Sequence, residues 1–306
     1  MKMQPTRPVR SSLIAAAAVT SLAVAGSADA ELIYGLTTSN SIAVIDSTDP
    51  TASIGGATVT GLAQNDELQM LDYRAATDQL YAIGSLGNIY TVDATTFAAT
   101  QVGPTLSPGL AGTSFAFDFN PAFDGGSGDP ADIGRFARII SDTDNNRVID
   151  GNIGGYLGTV EKTPVFYLAG DVNEGANPNI VGIAYTNSVP GATSTQQYGI
   201  DRATGSLVTV ANNAGTLETV GTPGTLPIPT TNEAGFDISG DTGVAFAVLQ
   251  TGPNSNLFTV DLTTGVFTPV GEFGSGDLIR DLAVVIPEPA SLSLLALGGL
   301  ALRRRR

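Results

Sequence analysis

One short strand-and-turn pattern recurs along the middle of the chain. In each copy, a short run rich in apolar residues leads to Ile-Asp or Val-Asp, and a turn follows. The copies end at Asp46, Asp93, Asp150, Asp201 and Asp261, with spacings of 47, 57, 51 and 60 residues. Because the pattern inside each copy alternates with a period of 2 and not 3.6, the repeat indicates a β-propeller rather than a helical solenoid.

A second pattern, an apolar strand with an acid inside it, precedes most copies of the first. The acids are Asp72, Asp118, Asp237 and Asp281, and the remaining copy has the acid-free segment Ile180–Tyr185 instead. Another strand separates the two patterns, and a last strand follows the Asp turn. Four strands per repeat is the composition of a propeller blade.

The count of these units predicts five blades. Complete units span residues 72–103, 118–157, 180–221 and 236–271. Residues 280–285 supply one further strand and residues 32–59 supply three, so we expect a fifth blade closed by the two ends of the domain together. Such closure removes exposed sheet edges. A β-sandwich or β-solenoid is the alternative fold, and a six-bladed ring is the variant if residues 156–180 contain another unit.

The composition excludes several classes of chemistry. The chain contains no cysteine and no histidine. It therefore has no disulfides and no Ser-His-Asp or Cys-His machinery, and it lacks the commonest zinc ligand. Whether the protein is an enzyme stays open: a carboxylate-based enzyme is the catalytic alternative, and a role without catalysis is favoured.

The first thirty residues have the features of a secretory signal peptide. Lys2, Arg7 and Arg10 precede a short apolar stretch, and Ala28 and Ala30 form a small-x-small cleavage site. The predicted first mature residue is Glu31. We expect helices only in this segment and in the C-terminal one, with an all-β domain over residues 31–286.

The last twenty residues combine three elements. Pro287-Glu288-Pro289 precedes an apolar run over residues 290–302, and Arg303, Arg304, Arg305 and Arg306 end the chain. Proline interrupts regular structure, the apolar run partitions into lipid, and the arginines stay on the cytoplasmic side. This tail, residues 287–306, resembles the PEP-CTERM sorting signal. The resemblance implies an exosortase-type partner, transient anchoring in the membrane, and a final location at the cell surface or in the extracellular matrix.

The expected mature domain is strongly acidic. Removal of both terminal segments leaves 7 basic and 27 acidic residues, a net charge of −20. Such a surface repels nucleic acid, so we expect no nucleic-acid partner.

Several blocks of the domain resemble a known bacterial family. They include Phe117-Asp118-Phe119-Asn120-Pro121, Ile139-Ile140-Ser141-Asp142-Thr143 and Ala184-Tyr185-Thr186-Asn187-Ser188. The chain is similar over roughly residues 32–285 to the domain of unknown function 4394. The resemblance implies a propeller-like fold and contributes no catalytic residue.

Two groups of acids are candidates for binding a cation. Asp142, Asp144, Asn146 and Asp150 alternate like ligands of a calcium loop, although Arg147 occupies the position that such a loop needs for glycine. The alternative is a polar hairpin turn. The acids of the inner strands, Asp72 among them, would form a carboxylate ring if they line the axis, or would each accept backbone N–H bonds. No other cofactor is expected.

Two functions fit these features. The first is an exported, non-enzymatic binding or structural propeller, whose partner is a polysaccharide or a surface protein. The second is a carboxylate-dependent hydrolase or lyase that acts on exopolysaccharide.

Overall fold

The computed structural model describes residues 30–157, 160–226 and 231–285. They form five β-sheets arranged in a ring, which confirms the predicted five-bladed β-propeller. Residues 1–29, which include most of the predicted signal peptide with Ala28, lie outside the described residues. So do residues 286–306, which include the predicted sorting tail with Pro287, Glu288, Pro289 and the four terminal arginines. Within the described residues, no helix is long and apolar enough to cross a membrane.

Each blade is a separate sheet, and its strands follow one another from the axis outward. Blade 1 contains β21 (Ile279–Val285), β1 (Leu32–Thr37), β2 (Ser41–Asp46) and β3 (Asp49–Thr58). Blade 2 contains β4 (Leu68–Arg74), β5 (Gln79–Gly84), β6 (Ile89–Val92) and β7 (Ala99–Gln101). Blade 3 contains β8 (Phe115–Phe119), β9 (Phe136–Ser141), β10 (Asn146–Asp150) and β11 (Gly155–Tyr156). Blade 4 contains β13 (Ile180–Tyr185), β14 (Gln197–Asp201), β15 (Ser206–Val210), β16 (Thr216–Thr219) and β12 (Phe166–Tyr167). Blade 5 contains β17 (Ala234–Ile238), β18 (Ala245–Thr251), β19 (Asn254–Val260) and β20 (Phe267–Glu272).

Blade 1 closes the ring with both ends of the domain. Strand β21 pairs antiparallel with β1, from Val285 opposite Leu32 to Asp281 opposite Leu36. The last described strand, β21, thus lies at the axis, and the first three described strands, β1 to β3, lie outside it in the same sheet. This is the closure that the sequence predicted.

Apolar side chains fill the space between neighbouring blades. The period-2 pattern gives every strand two faces, and each face packs against the next sheet of the ring. Leu36 of blade 1 and Leu71 of blade 2 lie in one such cluster, and Phe236 of blade 5 with Leu207 of blade 4 lie in another. Full burial of a side chain of this size stabilises the fold by about 1.5–3 kcal/mol.

Blade 4 has one strand more than the four predicted. Strand β12 pairs in parallel with β16, and the N–H groups of Phe166 and Leu168 donate to Gly215 O and Leu217 O. The described part of residues 156–180 therefore supplies an outer strand and not a sixth blade. Two single turns of 3-10 helix, Pro130–Asp132 and Asn212–Ala214, also occur in the loops.

Replacement of Gly235 by alanine should weaken the contact between blades 5 and 1. A Cβ atom at this position would lie 2.4 Å from Leu282 N and 2.7 Å from Asp281 C. Because backbone cannot move aside easily, we expect Gly235→Ala to lower the free energy of unfolding by about 1–3 kcal/mol in a urea titration. Gly199→Ala is the control, since its Cβ would come no closer than 3.4 Å to a side-chain methyl group. Equal losses in the two variants would contradict this packing.

Candidate functional site: a ring of buried aspartates at the axis

Four aspartates of the innermost strands lie at the centre of the propeller. Strands β21, β4, β8, β13 and β17 pack side by side around the axis. The four acids on them, Asp72, Asp118, Asp237 and Asp281, are between 3% and 6% exposed. Buried carboxyl groups are rare unless they have hydrogen-bond partners. The partners here are backbone N–H groups.

Two of the acids connect blades 2, 3 and 4. One oxygen of Asp72 accepts the N–H of Tyr73 in its own strand at 2.7 Å. Its other oxygen accepts the N–H of Phe119 in blade 3, also at 2.7 Å. Asp118 of blade 3 in turn accepts the N–H of Tyr185 in blade 4.

The other two acids connect blade 5 to blade 1 and blade 1 to blade 2. Asp237 accepts the N–H groups of Ile238 and of Val284 in blade 1, both at 2.6 Å. Asp281 accepts the N–H groups of Leu282 and of Leu71 in blade 2, both at 2.9 Å. Each carboxylate therefore joins its own strand to the next inner strand around the ring.

The contact between blades 4 and 5 has no such carboxylate. Strand β13 contains no acid, as its sequence shows. Gly182 of β13 instead lies against Phe236 of β17, where an added Cβ would be 2.8 Å from the Phe236 Cβ. Close approach of two backbones replaces the side-chain bond at this interface.

Asp281 does not occupy the same height along the axis as the other three acids. Asp72 bonds to the residue after Asp118, whereas Asp281 bonds to the residue before Asp72. This difference of two residues corresponds to roughly 7 Å along a strand. Asp281 therefore does not lie at the same level of the axis as Asp72, Asp118 and Asp237, although all four acids interrupt an apolar inner strand. Its strand shifts register against β1 near Thr37, at the same end of the strand.

Burial raises the pKa of all four carboxyl groups. Desolvation is the main cause, and it raises the pKa of Asp72 to about 7 and the pKa values of Asp118, Asp237 and Asp281 well above their ordinary range. The negative charge of Asp72 raises the other three further. The backbone N–H bonds act in the opposite direction but do not cancel the effect of burial.

The geometry of the axis favours a structural role for these acids over a cation ring. Among the described residues, no group of three or more acids is placed to hold a metal ion. At the end where the inner strands begin, Arg280 bonds to Glu233 at 2.8 Å and to Leu68 O at 2.7 Å. A cavity of ≈ 10 Å³ remains beside this pair, which is room for about one water molecule.

The calcium-like string, which comprises Asp142, Asp144, Asn146 and Asp150, does not bond to one common partner. Asp142 accepts from the N–H and hydroxyl groups of Thr113, at 2.9 and 2.6 Å. Asp150 accepts two hydrogen bonds from the guanidinium of Arg135, at 2.8 and 2.6 Å. The string forms the hairpin between β9 and β10, and these contacts fit a polar turn.

The other two members of that string also differ in surroundings. Asn146 is buried, donates to Thr163 O and Asn212 O, and accepts from Arg138. Asp144 has a left-handed backbone, with φ of 62°, at the hairpin turn. The structure does not bring the four side chains to a common point.

Two buried acids have structural roles that the sequence did not predict. Asp66, one of many acids in a strongly acidic chain, accepts from Leu86 N, Asn88 Nδ2 and Tyr90 OH at 2.8–2.9 Å. Glu31, predicted only as the first mature residue, accepts from the hydroxyl groups of Ser239 and Thr242 at 2.7 and 2.6 Å. It thereby joins the start of blade 1 to blade 5. Neither role has a local sequence signal, because the partners are distant in the chain.

A polar groove lies beside blade 2 and is lined by residues of all four strands of that blade, β4 to β7. Its volume is ≈ 360 Å³, and Val285 at the end of β21 contributes to its rim. Asp78, Gln79 and Asp93 line it with exposed side chains. Tyr73 is buried at its base and donates from its hydroxyl group to Asp78 at 2.5 Å. This groove is far larger than the cavity beside Arg280, and it has room for more than a water molecule.

Together, the fold and the axis define a class: a five-bladed β-propeller that closes through both ends of its chain and joins its blades by buried carboxylates. Within that class, the chain belongs to the family described as domain of unknown function DUF4394, whose model matches residues 28–283. This match confirms the resemblance of residues 32–285 to that family.

The chain matches solved structures at low sequence identity and with TM-scores below 0.5. A chain of a nidogen/laminin complex is 12% identical, with a TM-score of 0.45, and the match covers 84% of this chain and 98% of that one. A Bacteroides uniformis protein that bears the name 6-phosphogluconolactonase is 13% identical, with a TM-score of 0.43 and coverage of 86% and 88%. Dihydro-heme d1 dehydrogenase NirN is 10% identical, with a TM-score of 0.33 and coverage of 78% and 43%. No curated protein matches the chain in sequence.

Removal of one axial carboxylate should destabilise the whole ring. Asp237→Ala leaves the N–H groups of Ile238 and Val284 without a partner, at a cost of about 1–3 kcal/mol for each buried donor. We expect a loss of roughly 2–5 kcal/mol in urea unfolding, and little change for Asp241→Ala, an exposed acid of the same blade.

The same measurement with millimolar calcium separates the two roles of the acids. We expect calcium to leave the difference between wild type and Asp237→Ala unchanged. An increase in stability with calcium that requires Asp237 would instead establish a cation ring.

Proposed function

We propose that the protein is an exported binding or structural propeller of the cell surface or extracellular matrix, without enzymatic activity. The observation that carries this proposal is the use made of the axial acids. Acids with strongly raised pKa values are the first candidates for acid–base catalysis. Here they lie buried, and their oxygens accept backbone N–H bonds that join the blades.

The boundaries of the propeller support processing at both ends. Strand β1 begins one residue after Glu31, so cleavage between Ala30 and Glu31 leaves every blade complete. Strand β21 ends at Val285, two residues before Pro287. The proposed signal peptide and the proposed PEP-CTERM tail therefore precede and follow the described strands of the ring in the sequence. The corresponding partner is an exosortase-type sorting enzyme, and the membrane is contacted through the tail before processing.

The groove beside blade 2 is the proposed ligand site. Its volume is within the usual range of about 300–1,000 Å³ for small-molecule sites. Asp78, Gln79 and Thr100 offer hydrogen-bond acceptors and donors to a ligand rich in hydroxyl groups. A polysaccharide fits this chemistry, and a polar segment of a surface protein is the second possible occupant.

One observation favours the enzymatic alternative. Asp78 and Asp93 both line the groove, and paired carboxylates are the machinery of glycoside hydrolysis. The second candidate function is therefore a carboxylate-dependent hydrolase or lyase acting on exopolysaccharide. In Asp93, one carboxylate oxygen already accepts three hydrogen bonds from Thr95 and Thr96, which favours a role in the turn.

The export proposal predicts the ends of the mature protein. Intact-mass spectrometry of the protein from the producing cell should give a chain that begins at Glu31 and lacks Arg303 to Arg306. Deletion of residues 287–306 should release the propeller into the medium. A mature protein that retains Met1 or the four arginines would contradict the corresponding half of the proposal.

Binding should depend on the groove. The polysaccharide of the producing cell is titrated against residues 31–285, and we expect Gln79→Ala to raise Kd about three- to tenfold, because one lost hydrogen bond costs about 0.5–1.5 kcal/mol. Asp241→Ala, on blade 5, is the matched control and should bind like wild type. Release of sugar products that stops in Asp78→Asn or Asp93→Asn would overturn the non-enzymatic proposal and establish the hydrolase or lyase.

A further inference from the structure

Two of the axial acids, Asp72 and Asp118, lie beside each other across the interface between blades 2 and 3. Both are buried, and one oxygen of Asp72 accepts the N–H of Phe119, the residue next to Asp118. Two ionised carboxylates repel each other in a site without water, and they have acceptors only. Such neighbours are compatible when one of the two carries a proton and donates it to the other.

The backbone contacts decide which acid carries the proton. Both oxygens of Asp72 already accept backbone N–H bonds, from Tyr73 and Phe119. For Asp118, one oxygen accepts the N–H of Tyr185. Its second oxygen is therefore the donor, and Asp72 is the acceptor.

We propose that Asp118 holds a resident proton, which it donates to Asp72, and that this proton fastens blades 2 and 3 at the axis. The propeller is therefore held together more firmly in acid than in alkali. If the proton is lost, two charges face each other in a site from which water is excluded. In that state the hydrogen bond between the two blades is replaced by repulsion.

The other charged groups around the pair do not neutralise it. Asp237 on β17 and Asp281 on β21 add further acids, and Glu31 acts on Asp237 from blade 1. Of these, the charge of Asp237 raises the pKa of Asp118 and so strengthens the preference of the pair for a proton.

Arg138, which lies opposite Asp118 on β9, and Arg74, which lies on β4 with Asp72, bond to groups other than the carboxyl pair. Arg138 of β9 bonds to the Tyr185 hydroxyl group, to Asn146 and to Asn213. Arg74 of β4 bonds to Gly134 O, Asn152 and the Tyr81 hydroxyl group. Neither has a hydrogen bond to the carboxyl pair.

The direction of the pH dependence follows from the raised pKa values. A carboxyl group whose pKa is raised in the folded state contributes stability that is complete below its ordinary pKa, near 3.8, and that is lost as pH rises through the folded value. Asp72, whose folded pKa is about 7, loses its share of the stability between about pH 4 and pH 7. The pKa of Asp118, which holds the proposed proton, is also raised well above 3.8, so its share is lost as pH rises through its own raised value. The folding equilibrium constant falls at most about tenfold per pH unit for each proton released.

Repulsion between surface acids also weakens the fold as pH rises, and salt separates the two effects. At 1 M salt the Debye length is about 3 Å, so exposed charges are screened while the buried pair is not. Urea titrations of residues 31–285 in 1 M NaCl at pH 5 and pH 8 therefore report on the axis. We expect the wild-type midpoint to be clearly lower at pH 8.

Two substitutions distinguish the donor from the acceptor. In Asp118→Asn, the amide oxygen can accept from Tyr185 and the NH₂ group can donate to Asp72, so both bonds persist without a titrating proton. Asp72, Asp237 and Asp281 still titrate in this variant. We therefore expect a clearly smaller difference between its midpoints at pH 5 and pH 8 than in wild type, and a higher midpoint than that of wild type at pH 8. Asp72→Asn must turn an NH₂ group toward a backbone N–H, so we expect it to be less stable at both pH values.

Asp66→Asn is the control for removal of a buried acid outside the ring. It disturbs the bonds to Ser85, Leu86, Asn88 and Tyr90, so it should lose stability but keep the wild-type difference between pH 5 and pH 8. The same pH dependence in Asp118→Asn as in wild type would overturn the proposal. Absence of pH dependence in wild type at 1 M NaCl would do so as well.

A measurement on the wild-type protein tests the proposal without any variant. Carbon-13 NMR of the aspartate carboxyl groups follows each titration directly. We expect at least one aspartate to remain protonated at pH 6, and its signal to be absent in Asp118→Asn if that variant folds. If every aspartate of the wild type titrates below about pH 4.5, near the ordinary range, the resident proton does not exist.

Discussion

The pairing of β21 with β1 is the contact on which the ring depends. Every other pair of adjacent strands within a blade is close in the chain, except where β12 joins β16, but this pair joins residues about 250 positions apart. Without it, blade 1 loses its inner strand, and the bonds of Asp237 to Val284 and of Asp281 to Leu71 lose their geometry. Closure of the sheet and closure of the axial ring are therefore one event, since the same strand carries both.

The axial acids cost free energy because they are buried, but they fix how neighbouring blades align along the axis. Removing a carboxyl group from water is unfavourable, and the raised pKa values reflect that cost. Each acid recovers part of it by accepting N–H groups that would otherwise be buried without partners. Apolar side chains alone would pack the blades at many relative heights. A carboxylate that must reach one particular N–H group, as Asp72 reaches Phe119, fixes the height of one inner strand against the next.

The sequence predicted the fold well because the signals of the fold are local. Alternation with a period of 2, the Asp turns and the count of units require only near neighbours, and the incomplete units at the two ends required only that the ring be closed. The burial of Asp72 and its companions was also predictable, since each acid interrupts an apolar strand. The additional strand β12 was missed because two residues, Phe166 and Tyr167, carry too little pattern to be recognised.

The features that the sequence did not reveal depend on contacts between distant segments. The shift of Asp281 along the axis, by two residues relative to the other three acids, follows from the register of β21 against its neighbours. No residue near Asp281 encodes that register by itself. The calcium-like string shows the reverse case: a local pattern was present, but Arg135 and Arg138 contact Asp150 and Asn146 and decide how they are used.

The interface between blades 4 and 5 differs from the other four because it has no acid. Val181 and Phe236 belong to one apolar cluster across it, and the Gly182 backbone packs directly on β17. Five carboxylates around one narrow axis would each raise the pKa of the others. An acid-free contact limits that repulsion, since Asp118 and Asp237 are then separated by the whole width of β13 on that side. Of the five interfaces, this one is therefore expected to respond least to pH, while the interface between blades 2 and 3, with its shared proton, responds most.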